Sequence, residues 1–428
     1  MFDVSYQSTT LANGVKVGTA YLPQAVSASV GIWCNAGSRH ERAAENGVAH
    51  FVEHMVFKGT KRRSARKISM EIEGVGGELN AFTSEDHTCY HAWLPAKWFG
   101  RALRVLSDMY CNAELKQRAF ENEREVIFEE IEMYRDNPGQ HVEDLLSHAL
   151  WNGHQLARPI CGTEQSLERI TPDVLRRWIE EKHVGHNTVV AVAGPVPHDQ
   201  VVREVERQLG GMESGRRPAM RAVKSPQRPW LLEGGFVGDE RDIGQVHFGL
   251  GFRGPSRKDD ARFAFKLLNV MLGETMSSRL FQALRERRAA CYSVQSGVEM
   301  FDDVGVLDIH AGLDGDKAEA AVKMLGSELR KLRTQAPGVG ELKDAKEFVI
   351  GQQSMWFEAV ANQMQWVGDA LSTVGHVPGP EEALKHVRDV TADDVQKMAQ
   401  ELFQPDRMGM AVVGAGVDGE RLVRALGL

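Results

Sequence analysis

His50, Glu53 and His54 stand together in one short segment, His50-Phe51-Val52-Glu53-His54. On a helix, residues four apart share a face, so both imidazoles can reach one ion. Glu53 lies between them in sequence, close enough to hold a water on that ion. The order H-x-x-E-H is the reverse of the H-E-x-x-H metal motif. The bland alternative is a pair of surface histidines on an amphipathic helix.

Catalytic zinc normally has three protein ligands plus water, so the two histidines need a third partner. The segment FENEREVIFEEIEMY offers six acids: Glu121, Glu123, Glu125, Glu129, Glu130 and Glu132. Most of them read as a solvated charged face. Glu123 and Glu130 differ, because at heptad spacing they share a helix face with Ile127, which should point inward. A buried carboxylate needs a partner, and a metal is one. Glu130 is therefore expected as the ligand and Glu123 as its supporting carboxylate.

The elements that must position these groups recur in the chain. VGIWCNAGSR (30–39) aligns with FGLGFRGPSR (248–257) at a constant offset of 218, and a helix-like apolar segment follows each. Carried forward, the offset sets His50, Glu53 and His54 opposite Leu268, Met271 and Leu272. A duplication in which only one copy needs polar residues would look like this. His and Glu are poor core fillers, so their presence in the first copy asks for a reason.

Strand candidates are VSASVGIWC, LNAFTSEDHTCYHAWL, TVVAVAG, QVHFGLGF and VGVLDIHAGL; helix candidates cover 40–56, 64–75, 97–111, 117–135 and 141–151. Helices between antiparallel-looking strands predict an α+β fold of two related domains, each a mostly antiparallel sheet packed with helices. A Gly-, Pro- and Arg-rich stretch without apolar period separates them. The expected division is 1–211, a linker over 212–235, and 236–428. His87 and His91 fall on one expected strand, where positions four apart lie roughly 13 Å from each other. They are read as structural or cleft-lining.

With 428 residues and 42% hydrophobic content, the chain can bury a large core without a structural metal, so a metal here should be catalytic. The formal charge of −8 argues against nucleic-acid binding, which needs a basic surface. Five scattered cysteines with no C-x-x-C pair argue against a disulfide framework or a cysteine zinc knuckle. The first residues lack the basic start and apolar stretch of a secretory signal, and no apolar run reaches the roughly 18–20 residues of a membrane span. A cytoplasmic location is the expectation.

GSRHERAAENGVAHFVEHMVFKGT, GGELNAFTSEDHTCY, EREVIFEEI followed by DNP, and SSRLFQALRERRAACYSV together resemble the pitrilysin/insulinase family of inverzincin zinc peptidases. Within it, the likeness is to the two-domain, processing-peptidase-like proteins. The resemblance implies one zinc per chain on His50, His54 and Glu130, with Glu53 as general base and Glu123 in support. It also implies an Arg and Tyr pair, Arg285 and Tyr292, that stabilises the oxyanion. Read alone, these two would be a surface arginine and a core tyrosine.

Asn80, Ala81, Phe82 and Thr83 resemble the family's edge strand that pairs with substrate backbone. In the family each two-domain chain forms half of a clamshell around an enclosed chamber, with the Arg and Tyr supplied by the facing half. The expected activity is endopeptidase cleavage of unfolded peptides by a homodimer, with a heterodimer of related chains as second choice. The other reading is a non-catalytic or partner-dependent subunit of a peptidase or assembly complex.

Overall fold

The computed structural model describes residues 4–218 and 236–428, so most of the expected linker, 219–235, lies outside the described residues. Six strands form the first sheet: β1 (Ser5–Thr10), β2 (Lys16–Tyr21), β3 (Ser27–Cys34), β4 (Glu78–Thr83), β5 (Thr88–Pro95) and β6 (Thr188–Gly194). Their order is β1-β2-β6-β3-β5-β4, antiparallel except for β2 beside β6. The run TVVAVAG is buried along its whole length, as a central strand covered on both faces must be.

Five strands form the second sheet: β7 (Phe236–Asp239), β8 (Val246–Gly254), β9 (Cys291–Met300), β10 (Gly305–Leu313) and β11 (Met408–Val413), in the order β7-β11-β8-β10-β9. Here too a single pair, β7 with β11, is parallel and the rest are antiparallel. The α+β expectation holds. So does the repeat, since β3 and β8 lie where the constant offset puts them. Leu268, Met271 and Leu272 are core residues of the second copy.

One face of the first sheet packs on α1 (Val48–Val56), α2 (Ala65–Glu73), α3 (Phe99–Asn112) and the start of α4 (Gln117–Asp136). Its other face is covered by the helix Val360–Thr373, whose Met364, Val367 and Leu371 pack with Trp33, Cys89, Val189 and Ala191. Gly368 lets this helix approach closely: a β-carbon there would sit 2.3 Å from the Trp33 ring. In the second sheet the corresponding face receives α5 (Pro138–Trp151), through Val142, Leu146 and Leu150 against Val306, Ala411 and Val413.

The compact units therefore cross the contiguous halves drawn from sequence. Taking their described residues, one comprises 4–131, 159–218 and 353–379, the other 132–158, 236–352 and 380–428. The physical reason is burial. Each sheet has a second apolar face, and each apolar side chain that a helix lays on it contributes about 1.5–3 kcal/mol.

Two local expectations change. The stretch expected as a helix over 40–56 begins as short 3-10 turns, Ser38–His40 and Ala43–Glu45, and only becomes α-helical at Val48. Gly47, with φ of 95°, makes the break. LNAFTSEDHTCYHAWL is not one strand but a hairpin, β4 and β5, closed by a turn in which Ser84 N donates to His87 O at 2.8 Å. His87 consequently sits in the turn and His91 in β5, so the two do not share a strand.

Candidate active site

The helix α1 is only nine residues long and needs tertiary help to hold its phase. Its N-cap is a glycine, which offers no side-chain acceptor. Glu41 supplies one. Its buried carboxylate accepts from Gly47 N at 2.8 Å and Ala49 N at 2.8 Å, and from Asn46 Nδ2 at 2.9 Å. A negative charge at this end also complements the helix dipole. Farther along, Phe51 stacks on Phe120 of α4 with ring centroids 4.7 Å apart, fixing the two helices against each other.

On α4 the residues Phe120, Glu123 and Ile127 are buried, the stripe that the heptad argument anticipated. Glu130 continues it and is only partly exposed. The result is convergence. His50 Nε2 lies 3.8 Å and His54 Nε2 3.7 Å from the same Glu130 oxygen, Oε2. Among the described residues, these three form the one group of His, Cys, Asp or Glu able to share a metal, with ligand atoms all within 4.8 Å of one another.

The spacing suits an ion. Separations of 3.7–3.8 Å are too long for hydrogen bonds. Two ligands each about 2.0–2.1 Å from one tetrahedral zinc lie about 3.3 Å apart, a few tenths of an ångström closer. Burial, with the neighbouring His54 adding to it, pushes His50 down to about 3, which keeps the imidazole neutral and available as a ligand. His54 is oriented from behind: its Nδ1 lies 2.9 Å from Glu123 Oε1, while Lys58 Nζ holds Glu123 Oε2 at 2.6 Å. Burial by itself would raise the Glu123 carboxyl. The bonds to His54 and Lys58 outweigh it and leave the group below its ordinary value.

Glu53 occupies the same helix, its carboxyl raised by burial against the lowering pull of Thr83 and His54. Its Oε2 accepts a 2.6 Å hydrogen bond from the Thr83 hydroxyl on β4. The site thus brings together His50, His54, Glu130, Glu123, Glu53 and Thr83. Asn80, Ala81 and Phe82 lie beside Thr83 on β4, the edge of the first sheet.

Residues 16–164 match the family described as Insulinase (Peptidase family M16), and residues 169–349 match Peptidase M16 inactive domain. An uncharacterized zinc protease of Streptomyces coelicolor is 34% identical over 408 residues, which are 95% of this chain and 89% of that protein. The chain belongs to the insulinase family of peptidases. The uncharacterized zinc protease YmxG of Bacillus subtilis is 32% identical to this insulinase-family chain, over 93% of it and 95% of YmxG. Among solved structures, a protease from Helicobacter pylori superposes with a TM-score of 0.90 at 22% identity, covering 96% of this chain and 99% of that one.

In this insulinase-family chain, Arg285 and Tyr292 belong to the second unit. Arg285 lies in the segment Phe281–Glu286 with its guanidinium 4.9 Å from the Phe281 ring centroid. Tyr292 is 63% exposed, not the core tyrosine that its sequence neighbourhood taken alone suggests. Cys291 pairs with Leu313 and Ser293 with Gly312, so Tyr292 is the extra residue of a β-bulge. Bulges re-aim side chains.

Sequence reasoning missed Glu41, Lys58 and the bond from Thr83 to Glu53. Glu41 became legible only once the structure had placed the start of α1 at Gly47, a cap with no side-chain acceptor of its own. Lys58, in the turn just past the end of α1, was legible only once Glu123 had been placed.

Proposed function

We propose that this chain is a zinc-dependent endopeptidase that hydrolyses unfolded peptides, with one zinc per chain on His50, His54 and Glu130. The observation that carries this is the approach of both Nε2 atoms to Glu130 Oε2 with the Glu53 carboxyl on the same helix. Zinc, when bound, supplies Lewis acidity that makes water a nucleophile near neutral pH and polarises a carbonyl. Glu53 takes the proton of the attacking water and passes it to the departing amine, a role suited to a carboxyl raised by burial. His54 is kept in one tautomer by Glu123. The edge strand with Asn80, Ala81, Phe82 and Thr83 receives the substrate backbone by strand addition.

Arg285 and Tyr292 complete the oxyanion site in this reading, supplied by a second copy in a homodimer that encloses the peptide. A cytoplasmic setting belongs to the same reading. The deciding experiment compares wild type with Glu53→Gln on a peptide library, with zinc content measured alongside. The Gln variant should keep its zinc and lose at least about a hundredfold in rate. Equal rates would remove Glu53 as base, and wild type that takes up no zinc would end the proposal.

A further inference from the structure

We propose that Thr83 is a positioning residue that orients Glu53, and that it thereby leaves Oε1 as the oxygen that handles the proton. This rests on the peptidase reading above. The period-2 alternation of β4 puts Leu79, Ala81 and Thr83 on the face toward α1, and Leu79 and Ala81 pack into the core there. Phe82, on the opposite face, packs with the cluster around Trp33. A one-residue slip of this strand would carry the hydroxyl to the wrong side.

The hydroxyl of Thr83 has one hydrogen, and an ionised carboxylate can only accept. At 2.6 Å, the Thr83 hydrogen is therefore committed to Glu53 Oε2. Thr88 Oγ1 stands 3.3 Å from both Thr83 Oγ1 and Ala36 O, so its own hydrogen has an acceptor whichever way it turns. With Oε2 engaged, the proton released as the water O–H bond breaks goes to Oε1. It leaves from Oε1 to the departing amine nitrogen, and Thr83 keeps its own hydrogen throughout.

Thr83 can do this because the turn behind it is clamped. Ser38 N and Arg39 N donate to Ser84 O and Glu85 O, both at 3.1 Å. Buried Arg39 pairs with Asp86 at 3.0 Å. Gly37 permits the approach, since a β-carbon there would lie 2.0 Å from Ser84 O. Thr83 also ends the strand offered to substrate, so docking and base orientation share one rigid element.

The test uses the full-length chain with zinc content, melting temperature, kcat and KM measured for wild type, Thr83→Val, Thr83→Ser and Glu53→Gln on one quenched peptide. Thr83→Val keeps the shape and removes the donor. It should lower kcat about tenfold or more with KM and zinc unchanged, and Thr83→Ser should restore most of the rate. A Val variant with wild-type kcat, a loss confined to KM, or a Ser variant as slow as Val would overturn the inference. Should Val prevent folding, Thr83→Ala makes the same comparison against Ser. A wild type that is active, with Glu53→Gln dead and Thr83→Val unimpaired, sinks only the role of Thr83. An inactive zinc-loaded wild type sinks both.

Discussion

His54 presents Nδ1 to the Glu123 carboxylate at 2.9 Å, while the Nδ1 of His50 is buried without a hydrogen-bond partner among the described residues. The two expected ligands are therefore braced unequally. Carboxylates behind a metal-binding histidine fix its tautomer and ring angle, and their loss typically costs 10–100-fold in affinity or activity. Glu123→Gln should weaken zinc binding by about 10–100-fold, measured by competition with a chelating dye. Unchanged affinity would show that packing suffices to hold the ring.

Glu41 should matter for the fold and through it for the metal. Glu41→Ala removes the acceptor of Gly47 N, Ala49 N and Asn46 Nδ2 in a buried setting. Stability should fall by about 1–3 kcal/mol in urea unfolding. Zinc affinity should fall as well, because the start of α1 loses its anchor. A variant as stable as wild type would mean that the helix is held by its apolar face alone.

The docking role proposed for β4 makes a prediction on the substrate side. Strand addition uses alternate backbone amides, so N-methylation in one phase of a peptide should raise KM by about tenfold or more. Methylation in the other phase should change it little. Equal effects in both phases would argue for side-chain recognition instead.

Mixing tests the expected sharing of the active site between copies. Glu53→Gln and Tyr292→Phe homodimers should each be nearly inactive. Co-refolded, they should recover activity, because one of the two sites in a mixed dimer keeps both wild-type contributions. No recovery would place Tyr292 outside the partner's reaction.

The second unit should carry a pH-dependent increment of stability. His310 Nε2 lies 3.1 Å from Asp308 Oδ2. Burial opposes its charge, yet the bond to Asp308 and the charges of Asp308 and Glu143 win, so its pKa is raised from 6.5. A raised histidine stabilises the fold fully below its unfolded value, and that contribution is lost as pH rises through the higher folded value. His310→Gln should therefore melt lower than wild type at mildly acidic pH, with the gap narrowing above neutrality. A constant gap would locate the effect in packing.

Much of the site could be read in the chain because helical spacing is local physics. His50 and His54 had to share a face if α1 formed, and the heptad from Glu123 to Glu130 had to run along one side of α4. The offset repeat likewise set Leu268, Met271 and Leu272 in a core where the first copy carries polar groups. Turn and cap geometry was less legible. The break at Gly47 and the hairpin inside LNAFTSEDHTCYHAWL depend on hydrogen bonds to partners elsewhere in the chain, Glu41 and the 37–39 loop among them.

Sequence by itself determined the residue types, the two periodicities and the duplication, since each follows from backbone geometry a few residues long. Tertiary structure alone decided that Glu130 faces the histidine pair, that Thr83 caps Glu53, and that Tyr292 is thrown outward on a bulge. It also decided which sheet each of the helices Pro138–Trp151 and Val360–Thr373 covers. Those outcomes depend on which apolar faces find one another across long stretches of chain, and no local spacing encodes that choice.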